Sequence, residues 1–227
     1  MVSCTRCTSF GQSRLTHCFN RQYQLPAMAL NTLYLASASP RRRELLDQIG
    51  VRYEARPVQV DESRQLREVP RDYVTRLARA KAETAWALFG PGAARAVLAA
   101  DTAVVLADSI LGKPRDRGEA FAMLEKLSGR THEVLTAVAL RTTRGLESLL
   151  SASRVKLRAL APEEIEEYWN TGEPRDKAGA YAIQGRAAVF IESLEGSYSG
   201  VMGLPLFETA ELLARAGVGT WMRRHGS

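Results

Sequence analysis

The run Leu33-Tyr34-Leu35-Ala36-Ser37-Ala38-Ser39-Pro40-Arg41-Arg42-Arg43-Glu44-Leu45-Leu46 constrains this chain more than any other stretch. It predicts a strand, a tight loop and a helix whose first turn carries three arginines. Ser39 suits an N-cap, Pro40 the first helical position, and Gly50 the stop after Ile49. The arginines run against the electrostatics of their position. A helix N-terminus carries partial positive charge and favours Asp or Glu, and each cation there costs about 0.3–1 kcal/mol on a wet surface. An anion held at that end reverses the sign. Free backbone N–H groups, a serine hydroxyl and arginine forks together suit a chain of phosphates. Three solvated arginines on an exposed turn is the alternative that the run leaves open.

The rest of the chain narrows the class. Its 227 residues suit one domain with or without a tail, and 45% hydrophobic content is enough for a full core. No stretch approaches about 18 uninterrupted apolar residues, so no transmembrane helix and no membrane partner is expected. Of the formal charge of +6, half falls on Arg6, Arg14 and Arg21 in residues 1–27, which hold no acid. The remainder is too dilute to make a nucleic-acid surface. Cys4, Cys7 and Cys18 also lie there, and with His17 their spacing matches no strong zinc pattern. The absence of cysteine after Cys18 fits a reducing, cytoplasmic setting. Residues 1–27 lack the apolar core of a secretory signal and faintly resemble a transit peptide. They are read as a poorly ordered N-terminal extension ahead of a domain over 28–227, with Met28 a candidate start.

Strands are expected at 33–37, 51–60, 96–106, 132–140, 147–158 and 187–193, and helices at 40–49, 70–89, 116–127, 162–170 and 205–216. Early alternation followed by a strand-rich middle predicts an α/β domain with α+β character, its mixed twisted sheet flanked by helices. In the helix at 70–89, Val74, Leu77, Ala78, Ala85 and Leu88 share one face, and Lys81 falls on that same stripe. Such a lysine either snorkels to the rim or is turned inward to meet an anion. Residues 95–102 read as an apolar strand ending in Asp101. Ligands gather at the carboxyl ends of strands, so Asp101 is a candidate base or metal ligand; a turn residue or N-cap is the other reading. Residues 110–116 read as a hairpin turn delivering Lys113. Asp116 then caps a helix that Ser128-Gly129 ends. The small-residue stretches 176–185 and 196–205 allow close backbone approach to a ligand, or simply tight turns. His132 reads as structural, and no Ser-His-Asp or Cys-His set can be built.

Taken in order, these segments resemble the Maf family of nucleotide pyrophosphatases over about residues 30–216. The resemblance is carried by Ser37-Ala38-Ser39-Pro40-Arg41-Arg42, Asp61-Glu62, the Lys81 helix, Ala100-Asp101-Thr102, Gly112-Lys113-Pro114, Ser128-Gly129-Arg130-Thr131-His132, the run from Asp176 to Gly185, and Gly203-Leu204-Pro205. Each is weak alone; the ordered set is specific. It implies a fold similar to that of inosine triphosphate pyrophosphatases. It also implies metal-assisted hydrolysis of a nucleoside triphosphate to the monophosphate and pyrophosphate, with Mg²⁺ or Mn²⁺ as cofactor. The Ala178–Gly185 version of the late loop is similar to the branch acting on dTTP and UTP.

By that resemblance Ser37, Arg41, Arg42, Lys81 and Lys113 bind the phosphates, and Glu62 and Asp101 hold the metal. Asp101 is the base that activates water, while Arg41, Thr102 and Gln184 bear on base choice. The chemistry agrees with the residue types. Cations stabilise charge developing on the leaving pyrophosphate, and oxygen ligands suit the metal. The Gln184 amide can accept from N3–H of uracil or thymine and donate to O4, although an amide can also flip. Arg43 exceeds the two arginines that the pattern needs and is assigned to the surface. Asp61 is read as a neighbour of the ligand Glu62. A 7-methyl-GTP or other modified-nucleotide pyrophosphatase is the alternative within the class. A non-catalytic nucleotide-binding regulator of cell division is the alternative outside it, and a homodimer is implied by resemblance alone.

Overall fold

The computed structural model describes residues 33–93 and 96–221, with side chains except at 90–93. The extension 1–27 with its cysteines and His17, the candidate start Met28, and His225 lie outside the described residues. Seven strands form one mixed sheet: β1 (Leu33–Leu35), β2 (Tyr53–Ala55), β3 (Ala96–Leu106), β4 (Ser109–Leu111), β5 (Thr131–Thr142), β6 (Gly145–Leu157) and β7 (Ile191–Glu195). The order is β2-β1-β3-β5-β6-β7, with β4 paired to β3. The β2-β1-β3 pairings are parallel and the others antiparallel. Six α-helices among the described residues cover the sheet: α1 (Pro40–Gln48), α2 (Pro70–Ala93), α3 (Arg117–Leu127), α4 (Pro162–Asn170), α5 (Tyr198–Met202) and α6 (Leu206–Arg215).

Strand β3 organises the molecule. One edge pairs with β5 from Ala96 to Val105. On the other edge β1 pairs only with Ala96–Leu98, and β4 only with Val104–Leu106. Residues 99–103 therefore have no strand beside them on that edge. Alternation along the strand then sends neighbouring side chains to opposite faces. Val97, Ala99, Ala103 and Val105 pack under α2, against Val74, Ala78, Ala82, Ala85 and Trp86. Leu98 and Ala100 pack on the other face with Leu45 and Leu46 of α1 and with Leu212 and Leu213 of α6. Val104, further along that second face, joins α3 and α4 through Leu124, Leu127 and Ile165.

Several sequence expectations change. The strand expected at 96–106 is β3, but Asp101 lies in its middle rather than at its end, with β5 paired alongside from Ala96 to Val105. The strand at 51–60 shrinks to Tyr53–Ala55, and the one at 187–193 becomes a 3₁₀ turn (Arg186–Phe190) followed by β7. The hairpin turn falls at Ala107-Asp108, before Lys113, where Ala107 takes a φ of 51°. Leu88 is 67% exposed, so the buried stripe of α2 runs through Ala82 and Trp86 instead. Residues 198–202, read as loop, form the short helix α5. Ser39 does occupy the N-cap of α1 and Pro40 its first turn, but the Ser39 side chain makes no capping bond.

Candidate active site

The break in pairing beside residues 99–103 opens into a cleft of about 740 Å³. Its walls include all nine residues expected to act: Ser37, Arg41, Arg42, Glu62, Lys81, Asp101, Thr102, Lys113 and Gln184. Asp61 is not among the lining residues; its carboxylate accepts from the Ser63 N–H at 2.9 Å.

Parity on β3 explains how the centre assembles. Asp101 shares the α2 face with Ala99 and Ala103, and the alanines of α2 let the helix lie close. Lys81 on that stripe is turned inward. Its Nζ lies 2.7 Å from Asp101 Oδ1 and 2.7 Å from Glu62 Oε1. Asp101 is 8% exposed, and burial raises its pKa, with the Lys81 and Arg42 cations opposing. Glu62 arrives from the exposed segment between β2 and α2, where the Tyr73 hydroxyl donates to the Glu62 carbonyl at 3.0 Å.

Thr102 faces the other way, toward α1. Its hydroxyl accepts from Arg42 Nη2 at 3.2 Å and from Thr136 Oγ1 at 3.0 Å. Arg42 also donates through Nη1 to Ser37 Oγ at 3.2 Å and through Nε to the Gly203 carbonyl at 2.7 Å. Burial holds the Arg42 pKa below its ordinary value, with Asp101 opposing. Arg42 thus ties α1 to β3 and to the loop after α5, with two of its five N–H groups left over. The three arginines separate by environment. Arg43 is exposed, as expected. Arg41 is half-buried in the cleft wall, and its Nε is buried with no hydrogen-bond partner among the described residues. Burial lowers the Arg41 pKa as well, and Asp176 is the leading acid opposing it.

The stretch after α4 forms the remaining wall. Gly179 takes a φ of 68°, and a Cβ there would stand 2.9 Å from Val104 Cγ1. The Gly179 N–H donates to the Gly112 carbonyl at 3.0 Å, which fastens this wall to the Lys113 segment. The sequence reading gave no role to Tyr73, Glu173, Asp176 and Lys177, which also line the cleft, with Lys177 ion-paired to Asp176. Asp176 and Lys177 stood inside the late-loop pattern, so their signal was visible there. Nothing in the spacing singled out Tyr73 or Glu173.

Asp101 Oδ1 and Glu62 Oε1 meet at Lys81 Nζ, which brings two carboxylates, hard oxygen donors, close together. No group of three or more His, Cys, Asp or Glu able to hold a metal occurs among the described residues. Two carboxylates suit Mg²⁺ or Mn²⁺ when phosphate oxygens and water complete the shell. No helix among the described residues is long and apolar enough to cross a membrane.

Fold and site together define an α/β protein with a buried carboxylate set among cations in a cleft at a gap in its sheet. Comparison with known proteins specifies it further. Residues 32–216 match the family described as Maf-like protein, and the chain belongs to that family. A dTTP/UTP pyrophosphatase of Methylobacillus flagellatus is 55% identical over 83% of this chain and 94% of its own length. Proteins of the same name from Cupriavidus pinatubonensis and Alkalilimnicola ehrlichii are 54% and 56% identical, over 81% and 80% of this chain and 96% and 91% of theirs.

Proposed function

We propose that this protein hydrolyses nucleoside triphosphates, dTTP and UTP above all, to the monophosphate and pyrophosphate. One observation carries the reading: the Arg41 Nε, buried in the cleft wall without an acceptor among the described residues. A buried guanidinium N–H left unpaired is costly, and a phosphate oxygen is the acceptor that this cation-rich cleft is suited to receive. The names and the 54–56% identity of the relatives support the choice of base and product.

In this reading Arg41, the free N–H groups of Arg42, Lys113 and the first-turn amides of α1 hold the triphosphate. Water attacks the α-phosphorus, and its proton passes to the Asp101 carboxylate. The bond from the α-phosphorus to the bridging oxygen breaks, and pyrophosphate leaves with its new charge offset by the surrounding cations. Burial raises the Asp101 pKa and makes it a stronger base than an exposed carboxylate, while the Lys81 and Arg42 cations favour its charged form. Lys81 holds Asp101 and Glu62 in register. A bound Mg²⁺ or Mn²⁺, held by these two carboxylates, would supply Lewis acidity and lower the pKa of water. Gln184, exposed on the opposite wall, reads the base edge, and Thr102 bears on that choice through Arg42.

The test is stoichiometric pyrophosphate release across natural and modified triphosphates with added Mg²⁺ or Mn²⁺. The highest kcat/KM for dTTP and UTP is expected. Orthophosphate as first product, or tight nucleotide binding without turnover, would refute the assignment, and preference for 7-methyl-GTP would move it to another substrate. The reading also carries a cytoplasmic setting, in keeping with the absence of cysteine after Cys18. It carries a homodimeric state as well, which sedimentation of the full chain tests.

A further inference from the structure

Gln184 sits in a turn that has little to lock it. Ala182, Gly185, Ala187 and Ala188 around it offer no polar side chain, and within the turn the Gly185 N–H donates to the Ala182 carbonyl at 3.0 Å. The fastening comes from outside, from two residues at the end of α4 and just beyond. The Tyr168 hydroxyl accepts from the Ala182 N–H at 3.1 Å and donates to Glu173 Oε1 at 2.7 Å. Glu173 Oε2 accepts from the Arg186 N–H at 3.0 Å, and Oε1 from the Ala187 N–H at 3.4 Å. Backbone on both sides of Gln184 therefore hangs on one Tyr–Glu pair.

The pair is itself well anchored. Tyr168 is 3% exposed and packs edge-on to Phe190, with centroids 5.3 Å apart. Burial and the Glu173 carboxylate raise the Tyr168 pKa, so its hydroxyl stays protonated and its donor direction stays fixed. Residue 185 is glycine for the same reason: a Cβ there would fall on the Glu173 carboxylate.

We propose that Tyr168 and Glu173 are positioning residues for base selection, holding the 182–187 turn so that the Gln184 amide meets the nucleobase at a fixed depth and angle. The proposal rests on the reading of Gln184 as the group that senses the base. The tethers fix the backbone from which the amide reaches the base, so loosening the turn erodes the choice of base more than the chemistry at phosphorus.

The experiment compares kcat/KM for UTP and CTP, by pyrophosphate release, in the full chain and in Tyr168→Phe, Glu173→Gln, Gln184→Ala and Tyr168→Phe/Gln184→Ala. Thermal unfolding is measured on each. Tyr168→Phe removes both hydrogen bonds of the hydroxyl, from the Ala182 N–H and to Glu173, and predicts a fall in the UTP/CTP ratio of about tenfold. Glu173→Gln, which keeps shape but loses one acceptor, is expected to shift the ratio the same way. Tyr168→Phe should change the ratio no further once Gln184 is alanine. Equal losses for UTP and CTP, or additive effects on the ratio in the double variant, would reduce the pair to a structural role and overturn the proposal. A Gln184→Ala enzyme with the wild-type ratio would instead refute base sensing by Gln184, and the proposal with it. If Tyr168→Phe fails to fold, Glu173→Gln alone decides.

Discussion

Lys81 Nζ lies 2.7 Å from Asp101 Oδ1, although one belongs to a helix and the other to the middle of a strand twenty residues on. Val74, Ala78, Ala82 and Ala85 put the α2 stripe against the sheet, and the odd-numbered side chains of β3 face it. The lysine therefore reaches the one acid on that face of β3. It is a buried counter-charge to Asp101, and its amine also meets Glu62.

Asp101→Asn preserves the shape and removes the proton acceptor. Pyrophosphate release should fall by about 10² or more, the scale of general-base loss, while Lys81 keeps Glu62 as an ion-pair partner and the protein stays folded. Near-wild-type turnover would remove Asp101 from the role of base.

Lys81→Met leaves Asp101 buried without its nearest cation. Breaking a buried pair from one side costs about 3–5 kcal/mol. Lys81→Met should therefore destabilise the fold well beyond Asp101→Asn, as read by urea unfolding at neutral pH.

The three arginines should separate in mutagenesis. Arg42→Ala removes bonds to Ser37, Thr102 and Gly203, and is expected to cost roughly 2–4 kcal/mol of stability together with activity. Arg41→Ala should leave the unfolding temperature near wild type but raise KM for UTP at least about tenfold, since its buried Nε–H has no partner to lose among the described residues. Arg43→Ala, at an exposed position, should change neither.

His132 gives the fold a dependence on pH. It is 3% exposed, with Nε2 at 2.8 Å from the Tyr181 hydroxyl, and burial lowers its pKa from 6.5 to about 4. The unfolded chain binds the proton first as pH falls. The stabilisation is therefore complete above pH 6.5 and is lost progressively as pH drops toward 4, by roughly 3 kcal/mol in all. Urea unfolding across that range should show the loss in wild type and a flatter profile in His132→Gln.

Gly179→Ala would force a left-handed residue to carry a Cβ 2.9 Å from Val104 Cγ1. Strain and overpacking together predict a cost of about 1–3 kcal/mol, seen as a lower unfolding temperature. Because this turn is fastened to Gly112, KM for UTP should rise as well.

Much of the architecture was legible because its signals are local. Ser39-Pro40 and Gly50 bracket α1, and Asp116, whose side chain accepts from the Glu119 N–H at 2.9 Å, starts α3. All nine expected residues line one cleft, because the ordered motifs carried information that no single spacing held. What was missed depends on partners distant in sequence. The strand 96–106 was legible, but nothing near Asp101 says that β5 pairs along one edge from Ala96 to Val105 while the other edge stays open beside residues 99–103. The Glu173 carboxylate caps a turn thirteen and fourteen residues away, which no periodicity reveals.

The sequence by itself determined the element types, the anion-seeking helix start and the set of residues that meet in the cleft. Each of these follows from propensity, periodicity or an ordered motif within a short window. Only the tertiary structure decided how those residues divide their work. It turned Lys81 inward rather than to the rim, and engaged Arg42 with protein while leaving Arg41 Nε without a partner among the described residues. It also hung Gln184 on Tyr168 and Glu173. The physical reason is that burial and hydrogen-bond satisfaction are properties of the assembled sheet. The gap beside residues 99–103 exists only because, along one edge of β3, pairing with β1 ends at Leu98 and pairing with β4 covers only Val104–Leu106.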